Sequence, residues 1–519
     1  MPQNAPLHIT LLNDSFPPTI DGVANVTVNY ARILAEGGDD VCVATPAYPD
    51  VTDDYPFAVY RYPSLGLTEG MGYRAGVPFS PELLHTLEAR QPDVIHTHCP
   101  VMSTLLARML RPRVQAPVIF TYHTKFDIDI QKAVHGKLLQ EASIRALVNN
   151  ISACDEVWVV SEGAGQNLRS LGYAGEYRVM ENGVDFPRGE AAPCEVEAAR
   201  ARWGIPQGKP VFLFVGRMMW YKGLRLSLDA LRAAAAAGED FCFVLVGDGV
   251  DRAEIEAYAA ECGLTDRCIF TGAIRDREAL RAVFGCADLF LFPSTFDTNG
   301  IVVREAAACS CASLLVAGSC AAEGVTDGQT GFLFDGTVEE MTRCIRRVCA
   351  DRALAHRVGR QAAEGIYISW QDAVARARAR YVQVAEDWRA GRLRRAQAPG
   401  DDFYETAGAM LAGLGRAENR LQQAQGEARE DWEAARETAR SSLQQARENR
   451  EAAQHRKELE HMQAFVEREK AMRGGYDRYM SYLKNHLTDR LDETRADGEA
   501  LLKSLHDLWQ AQLEKDEKQ

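Results

Sequence analysis

The chain has 519 residues, 46% of them hydrophobic, and its 59 lysines and arginines stand against 73 aspartates and glutamates for a net charge of −14. This length predicts two or three domains, each large enough to bury its own core. The acidic balance argues against a nucleic-acid-binding protein, because neutralising phosphates needs a basic face.

Neither a membrane span nor a secretory signal is expected. No apolar run reaches the ~20 residues that cross a bilayer, and Met1–Leu7 has no charged region followed by an apolar one. The 13 cysteines are odd in number and scattered through apolar segments, as in reduced proteins of the cytosol. Cys309 and Cys311 stand without a second pair or a histidine cluster, so we expect no metal and no cofactor. The predicted location is cytoplasmic, with the inner face of the membrane as an alternative.

The first strand, His8–Asn13, leads into a turn at Asp21-Gly22 and then into a helix. A strand, a glycine turn and a helix form a phosphate-binding arrangement in outline, because Gly22 permits close backbone approach. Neither G-x-G-x-x-G nor a Walker loop is present. A plain turn that caps the first helix explains the same residues.

Histidines follow two later strands. Asp93–Thr97 contains His96 and is followed by His98, and Pro117–Thr121 is followed by Tyr122-His123-Thr124. A histidine just beyond the carboxyl end of a parallel strand lies over the crevice where ligands bind. One such histidine is more often structural, whereas three at the ends of successive strands favour a site. We expect His96 to be buried.

The segment Leu105–Arg113 is apolar and carries three arginines. Two interpretations are open: a basic amphipathic segment that touches an anionic membrane, and a buried helix with an exposed cationic edge. The second is favoured because three arginines are few.

A second α/β unit follows the segment Phe186–Pro210, which is rich in proline, glycine and charge and predicts a domain boundary. Its first strand runs into Gly216-Arg217, and Lys222 follows on the same turn. The guanidinium offers a bidentate fork to phosphate oxygens and the ammonium a mobile point charge. The alternative is a pair of surface cations.

The apolar run Leu289–Phe292 predicts a buried strand, and the turn Asp297–Gly300 leads into a helix that contains Glu305. Backbone N–H groups at such a junction point at an anion. Asp297 and Glu305, eight residues apart, can face one pocket and accept hydrogen bonds from sugar hydroxyls. An ordinary strand–helix junction with two acids is the alternative.

The C-terminal region is predicted to be helical. A helix over Asp372–Arg392 ends before Ala398–Asp402, and residues 403–473 contain no proline and carry apolar residues at steps of three and four. Gly474-Gly475 separates this segment from a second helical one, which predicts a hairpin or coiled coil; a solvated, fraying extension is the alternative. Because its apolar seam needs a partner, we expect a homo-oligomer, with another protein or a membrane surface as competing partners.

The Asp297-x7-Glu305 pair, Gly216-Arg217-x4-Lys222-Gly223 and Tyr122-His123-Thr124 resemble motifs of the retaining glycosyltransferases of family 4, and the order of elements follows that family to about residue 390. The resemblance implies an α/β protein of the GT-B fold, two Rossmann-like domains facing across a cleft, here followed by a long α-helical C-terminal extension. The implied domains are an N-terminal acceptor domain (1–190), a nucleotide-sugar donor domain (205–375), a crossover helix packing back on the N-domain (376–397) and a helical hairpin or coiled-coil tail (401–519).

The implied reaction is metal-independent transfer of a hexose from a nucleotide-diphosphate sugar to a hydroxyl of a glycolipid or glycan, as in cell-envelope biosynthesis. In it, Arg217 and Lys222 stabilise the leaving diphosphate, which takes the proton of the acceptor. The catalytic residues are His123, Asp297, Arg217 and Lys222. The donor-binding residues are Gly22, Gly216, Arg217, Lys222, Gly272, Asp297, Asn299, Gly300, Ile301, Val302 and Glu305.

Among these residues, Glu305 is implied to hold the ribose, Asp297 the sugar hydroxyls and His123 the far side of the sugar. Asp21 and His98 are candidates for the acceptor side. The sequence departs from the family pattern at Asp297, where the family has glutamate, and at Asp21, where it has glycine.

Other classes can share this fold. A sugar-nucleotide epimerase would lack the acidic pair, and a phosphorylase would need a lysine for pyridoxal phosphate that cannot be identified. A scaffold protein with a degenerate transferase core and an interaction tail is disfavoured because Arg217, Lys222 and Glu305 are all present.

Overall fold

The computed structural model describes residues 5–19, 21–66, 74–127, 130, 136–411, 433–434 and 437–438. Residues 1–420 form one compact unit, which contains the elements described below. Within it lie two parallel β-sheets, each covered by helices, as alternating apolar strands and amphipathic helices predict. The α/β, GT-B type of architecture inferred from the sequence is confirmed.

The N-terminal domain is built on a seven-stranded sheet of order β3-β2-β1-β6-β7-β8-β9. Its strands are β1 (His8–Leu12), β2 (Asp40–Pro46), β3 (Ala58–Tyr62), β6 (Val94–Thr97), β7 (Val118–Tyr122), β8 (Glu156–Val159) and β9 (Arg178–Val179). A separate antiparallel pair consists of β4 (Ser64–Leu65) and β5 (Ala75–Gly76). The described helices of this domain are α1 (Gly22–Glu36), α2 (Pro81–Ala89), α3 (Met102–Val114), α4 (Lys137–Ser152) and α5 (Glu162–Ser170).

The C-terminal domain is built on a six-stranded sheet of order β12-β11-β10-β13-β14-β15. Its strands are β10 (Val211–Val215), β11 (Cys242–Val246), β12 (Cys268–Gly272), β13 (Leu289–Phe292), β14 (Ser313–Val316) and β15 (Phe332–Phe334). The helices are α6 (Pro193–Trp203), α7 (Leu224–Ala236), α8 (Arg252–Glu261), α9 (Arg277–Cys286), α10 (Ile301–Ala308), α11 (Val338–Ala350) and α12 (Arg352–Gly365).

Both sheets reverse their strand order at one point, between β1 and β6 in the first domain and between β10 and β13 in the second. In open α/β sheets ligands bind in the crevice outside the carboxyl ends of the strands at such a point. The loops after β1, β6, β10 and β13 are therefore expected to position a site, and the loop after β7 lies next to that of β6 in the sheet order.

Helix α13 (Trp370–Arg389) returns the chain to the first domain, where it packs against α1. It begins two residues before the predicted Asp372, because the Ser369 hydroxyl caps it by accepting from the Asp372 N–H. Arg378 holds it there by donating to both carboxylate oxygens of Asp39, each at 2.8 Å.

The chain crosses between the domains twice, and the two crossings touch. Val184 N–H donates to Ile368 O at 3.0 Å, and a Cβ on Gly183 would lie 2.5 Å from Trp370 Cα, so only glycine allows this approach. Val184 already packs in the core of the second domain, whereas Trp370 packs in a core of the first. The crossings thus lie nearer Val184 and Ser369 than the predicted limits at 190 and 375.

The arginines of Leu105–Arg113 face the protein rather than a membrane. Arg108 and Arg111 are 2% and 1% exposed, and both pair with Asp401, at 2.8 and 3.5 Å. Arg113 pairs with Glu88 at 2.5 Å. This segment of α3 therefore offers no free basic face, and within the described part of the chain no helix is long and apolar enough to span a bilayer.

The start of the predicted tail is part of the compact unit. Residues 401–411 are helical. The Arg108 guanidinium lies over the ring of Tyr404, with 4.3 Å between the guanidinium carbon and the ring centroid. Beyond this segment only residues 433–434 and 437–438 are described, both pairs as helix, and the rest of the predicted hairpin lies outside the described residues.

Replacing Asp401 with alanine is expected to lower the free energy of unfolding by about 1.5 kcal/mol. Two buried guanidinium groups then lose a charged partner, but each keeps a hydrogen bond to a neutral oxygen. Arg108 still donates to Asn150 and Arg111 to the Ala153 carbonyl. Chemical denaturation measures the change, with Asp402→Ala at an exposed neighbouring position as the control. Equal stabilities of the two variants would contradict the anchoring role of Asp401.

Candidate active site

A cavity of about 420 Å³ lies between the two domains and is lined by residues of both. Twelve of the residues singled out in the sequence line it: Asp21, Gly22, His123, Gly216, Arg217, Lys222, Asp297, Asn299, Gly300, Ile301, Val302 and Glu305. The two that do not are Gly272, which ends β12, and His98, which lies behind His123.

Asp21 and Gly22 form the wall that begins α1. The Asp21 carboxylate caps the helix by accepting from the Val23 N–H at 3.0 Å, so the capping alternative describes this side chain correctly. A Cβ on Gly22 would meet no atom within 4 Å. The space beside Gly22 therefore belongs to the cavity, where it leaves the backbone open to a ligand.

Three histidines form a stack beneath the cavity. His96 is fully buried, as expected, with its ring nitrogens 2.5 Å from Tyr381 Oη and 2.7 Å from Thr121 Oγ1. His98 Nδ1 lies 3.0 Å from His123 Nε2. Burial lowers the pKa of all three imidazoles, and that of His123 to about 3, so the rings are neutral at physiological pH.

Arg217 and Lys222 follow β10 but differ in their surroundings. Arg217 is exposed, and no ion pair joins it to a described residue. Lys222 is buried and its Nζ lies 2.5 Å from Asp297 Oδ1. Gly223 makes this approach possible, because its φ of 79° favours glycine and a Cβ there would lie 2.5 Å from Pro293 O.

The turn before α10 contains buried polar atoms that have no hydrogen-bond partner in the protein. Asn299 is 8% exposed, and neither its amide nitrogen nor its oxygen has a hydrogen-bond partner. Asp297 Oδ2 is likewise buried and unpaired. Gly300, with a φ of 58°, precedes α10, and no side chain caps the N–H groups with which this helix begins. Buried polar groups are normally paired, so this cluster is suited to a polar ligand.

Glu305 is held by a residue that sequence reasoning missed. Arg277, the first residue of α9, places Nη2 2.6 Å from Glu305 Oε1 and 3.7 Å from Asp185 Oδ2. Its guanidinium stacks on Phe186, 4.2 Å from the ring centroid. Burial raises the pKa of Glu305, and Arg277 opposes this. No local motif marks Arg277, because its partner is 28 residues away.

Hydrogen bonds join the two domains, and some of them involve residues that line the cavity. Thr298 Oγ1 donates to the His123 carbonyl and Ser161 Oγ donates to the Thr298 carbonyl, both at 2.5 Å. The Glu323 carboxylate accepts from the N–H groups of Glu162 and Gly163, at 2.7 and 2.6 Å. These pairs join residues more than 130 positions apart, which sequence reasoning also missed.

Within the described ranges, no three histidine, cysteine, aspartate or glutamate side chains are placed to hold a metal ion. Three carboxylates line the cavity, and two of them pair with cations of the protein, Asp297 with Lys222 and Glu305 with Arg277. The arrangement can bind an anion and several hydroxyls.

Two family models match the chain, one in each domain. The model described as Glycosyltransferase Family 4 matches residues 20–188, and the one described as Glycosyl transferases group 1 matches residues 195–365.

Curated relatives are similar over parts of the chain. A 2-deoxystreptamine glucosyltransferase of Streptomyces kanamyceticus is 42% identical over 34% of this chain and 46% of its own length. An alpha-monoglucosyldiacylglycerol synthase of Streptococcus pneumoniae is 26% identical over 58% of this chain and 69% of its own. A D-inositol 3-phosphate glycosyltransferase of Geodermatophilus obscurus is 28% identical over 75% of this chain and 90% of its own.

Solved structures show the same fold. A sucrose-phosphate synthase of Thermosynechococcus elongatus superposes with a TM-score of 0.58 at 24% identity, covering 73% of this chain and 99% of that one. HepE of Anabaena, in complex with UDP, superposes with a TM-score of 0.55 at 19% identity, covering 74% and 99%. From its matched domains and shared architecture, the chain belongs to the family 4 glycosyltransferases of the GT-B fold.

Proposed function

We propose that the protein transfers a hexosyl group, with retention of configuration and without a metal, from a nucleotide-diphosphate sugar to a hydroxyl acceptor. The observation that carries this proposal is the cavity between the domains, which is lined by Arg217, by Lys222 and by the N-terminal residues of α10. Relatives named as glucosyl- and mannosyltransferases support hexose as the transferred group.

Departure of the nucleotide diphosphate develops negative charge on its oxygens. Arg217 and Lys222, together with the N–H groups near Gly300, would stabilise that charge. Lys222 already lies against Asp297, so the ammonium would link the leaving phosphate to the carboxylate that accepts from sugar hydroxyls. The leaving phosphate itself would take the acceptor proton on the same face.

Two cations of the protein, Lys222 and Arg277, lie against carboxylates of the cavity. Since Asp297 and Glu305 are each paired with a basic side chain, neither carboxylate needs a metal to compensate its charge. This pairing supports metal-independent transfer. We place the acceptor, a glycan or glycolipid, near Asp21 on the N-domain side and the reaction in the cytoplasm, with the inner membrane face as the site for a lipid acceptor.

A thermal-shift comparison of UDP-, GDP- and ADP-sugars in EDTA tests the donor assignment. Sugar nucleotides with one of the three bases are expected to raise the melting temperature of the protein. A donor present at a hundred times its Kd stabilises the folded state by about 2.7 kcal/mol. Transfer with that donor should give a product of unchanged anomeric configuration by proton NMR. If no donor stabilises the protein, the scaffold interpretation replaces this proposal; if transfer requires an added metal, metal independence fails.

We further propose that the C-terminal helices assemble the protein into a homo-oligomer. To test this, the chain should be truncated after residue 420, where the compact unit ends. A shorter chain that lacks Asp401 would lose its ion pair with the buried Arg108. Light scattering is expected to show the mass falling to that of a monomer while donor binding persists. An unchanged oligomeric state, or loss of donor binding, would overturn this division of labour.

A further inference from the structure

We infer that His98 is a positioning residue that fixes the tautomer of His123, so that His123 presents an N–H to the cavity. The inference deepens the proposed function and rests on it, since His123 acts on a substrate only if the donor binds in this cavity. It also changes the role of His98, which the sequence had placed on the acceptor side.

The two rings are held in a fixed arrangement. His98 and His123 are stacked, with ring centroids 5.2 Å apart and an angle of 27° between the rings. His98 also packs against His96, at 4.1 Å between ring centroids, and makes a T-shaped contact with Tyr30. His96 cannot turn away without losing its contacts to Tyr381 and Thr121.

The pair shares one proton along the line from His98 Nδ1 to His123 Nε2, which are 3.0 Å apart. Both rings are buried, at 2% and 7% exposure, and burial lowers the pKa of both. A neutral imidazole has one N–H and one bare nitrogen, so one ring donates and the other accepts.

The second nitrogen of His98 decides which ring donates. His98 Nε2 is buried and has no hydrogen-bond partner. If His123 donated, His98 would carry its hydrogen on Nε2, leaving a buried N–H without an acceptor. If His98 donates from Nδ1, Nε2 is an unpaired acceptor, and buried orphan donors are the rarer of the two.

With His98 as the donor, His123 carries its hydrogen on Nδ1, the nitrogen that His98 leaves available. His123 lines the cavity, and its backbone is also fixed, because its carbonyl accepts from Thr298 Oγ1. In this tautomer His123 donates a hydrogen bond to an oxygen of the bound sugar. It therefore orients and stabilises the sugar, and it does not remove the acceptor proton.

Solid-state 15N spectra of protein labelled at histidine Nδ1 test the tautomer directly, with His123→Asn identifying the signal among the 11 histidines. We expect a protonated Nδ1 on His123 in the intact protein and in His98→Asn, whose amide can still donate. We expect a mixture in His98→Leu. A bare Nδ1 on His123 in the intact protein would overturn the inference whether or not the protein is a transferase.

Steady-state kinetics with the identified donor separates positioning from packing. His98→Leu is expected to lower kcat roughly tenfold, the effect of one neutral hydrogen bond, with the donor KM unchanged. His98→Asn should recover most of that loss. Equal losses in the two variants, or no loss in either, would show that the His98 N–H does not position His123.

Discussion

Lys222→Ala and Arg217→Ala are each expected to lower turnover by roughly a hundredfold or more, about 3 kcal/mol of transition-state stabilisation. Both cations line the cavity between the domains, where charge on a leaving diphosphate would develop. The low exposure of Lys222 strengthens its effect, because a charge shielded from water interacts more strongly with a phosphate.

The two variants should differ in stability. Arg217 is exposed, so its removal leaves the fold unchanged. Removal of Lys222 strands the Asp297 carboxylate, whose side chain is 21% exposed, and should lower the melting temperature as well. Lys209→Ala, at an exposed pair with Asp240 in the same domain, is the matched control. Near-normal rates in both cavity variants would remove the diphosphate assignment.

The sequence predicted the fold well because its signals are local. Apolar strands such as Val211–Val215, and the alternation with helices, report a parallel sheet covered on both faces. The limits of elements were less certain. The start of α13 depended on the Ser369 cap, and the domain crossings depended on the contact of Gly183 with Trp370, which joins distant segments.

The features of the candidate site also fall into those that local sequence predicts and those that depend on contacts between distant segments. Glycine turns and the Arg217–Lys222 spacing lie within short stretches of chain, and the structure brings them to one cavity. The pairing of Arg277 with Glu305 and the position of His98 behind His123 arise only when separate strands and helices meet. Single-sequence patterns carry no signal for such contacts.

The segment Leu105–Arg113 shows how a pattern can remain ambiguous. An arginine-bearing apolar helix is compatible with a membrane surface and with a buried ion pair. Arg108 pairs with Asp401, which is 293 positions away in the sequence. A distant part of the chain therefore decides between the membrane surface and the buried ion pair.

Arg277→Ala is expected to weaken donor binding by roughly thirtyfold, about 2 kcal/mol, the contribution of a charged hydrogen bond. Arg277 holds Glu305, which we propose accepts from the ribose hydroxyls and must be ionised to do so. Burial raises the pKa of Glu305 while Arg277 lowers it. Without Arg277 the pKa rises further, and a larger fraction of the carboxyl is protonated near neutral pH.

The sign of the pH dependence follows from this shift. In both proteins donor affinity should rise as the pH increases through the pKa of Glu305, and in Arg277→Ala this rise should occur at a higher pH than in the intact protein, because Arg277 no longer lowers that pKa. Isothermal titration with the donor nucleotide between pH 6 and 9 measures both, and Arg275→Ala, an exposed arginine two positions away, is the control. A uniform loss of affinity at every pH would mean that Arg277 contacts the nucleotide itself and does not act through Glu305.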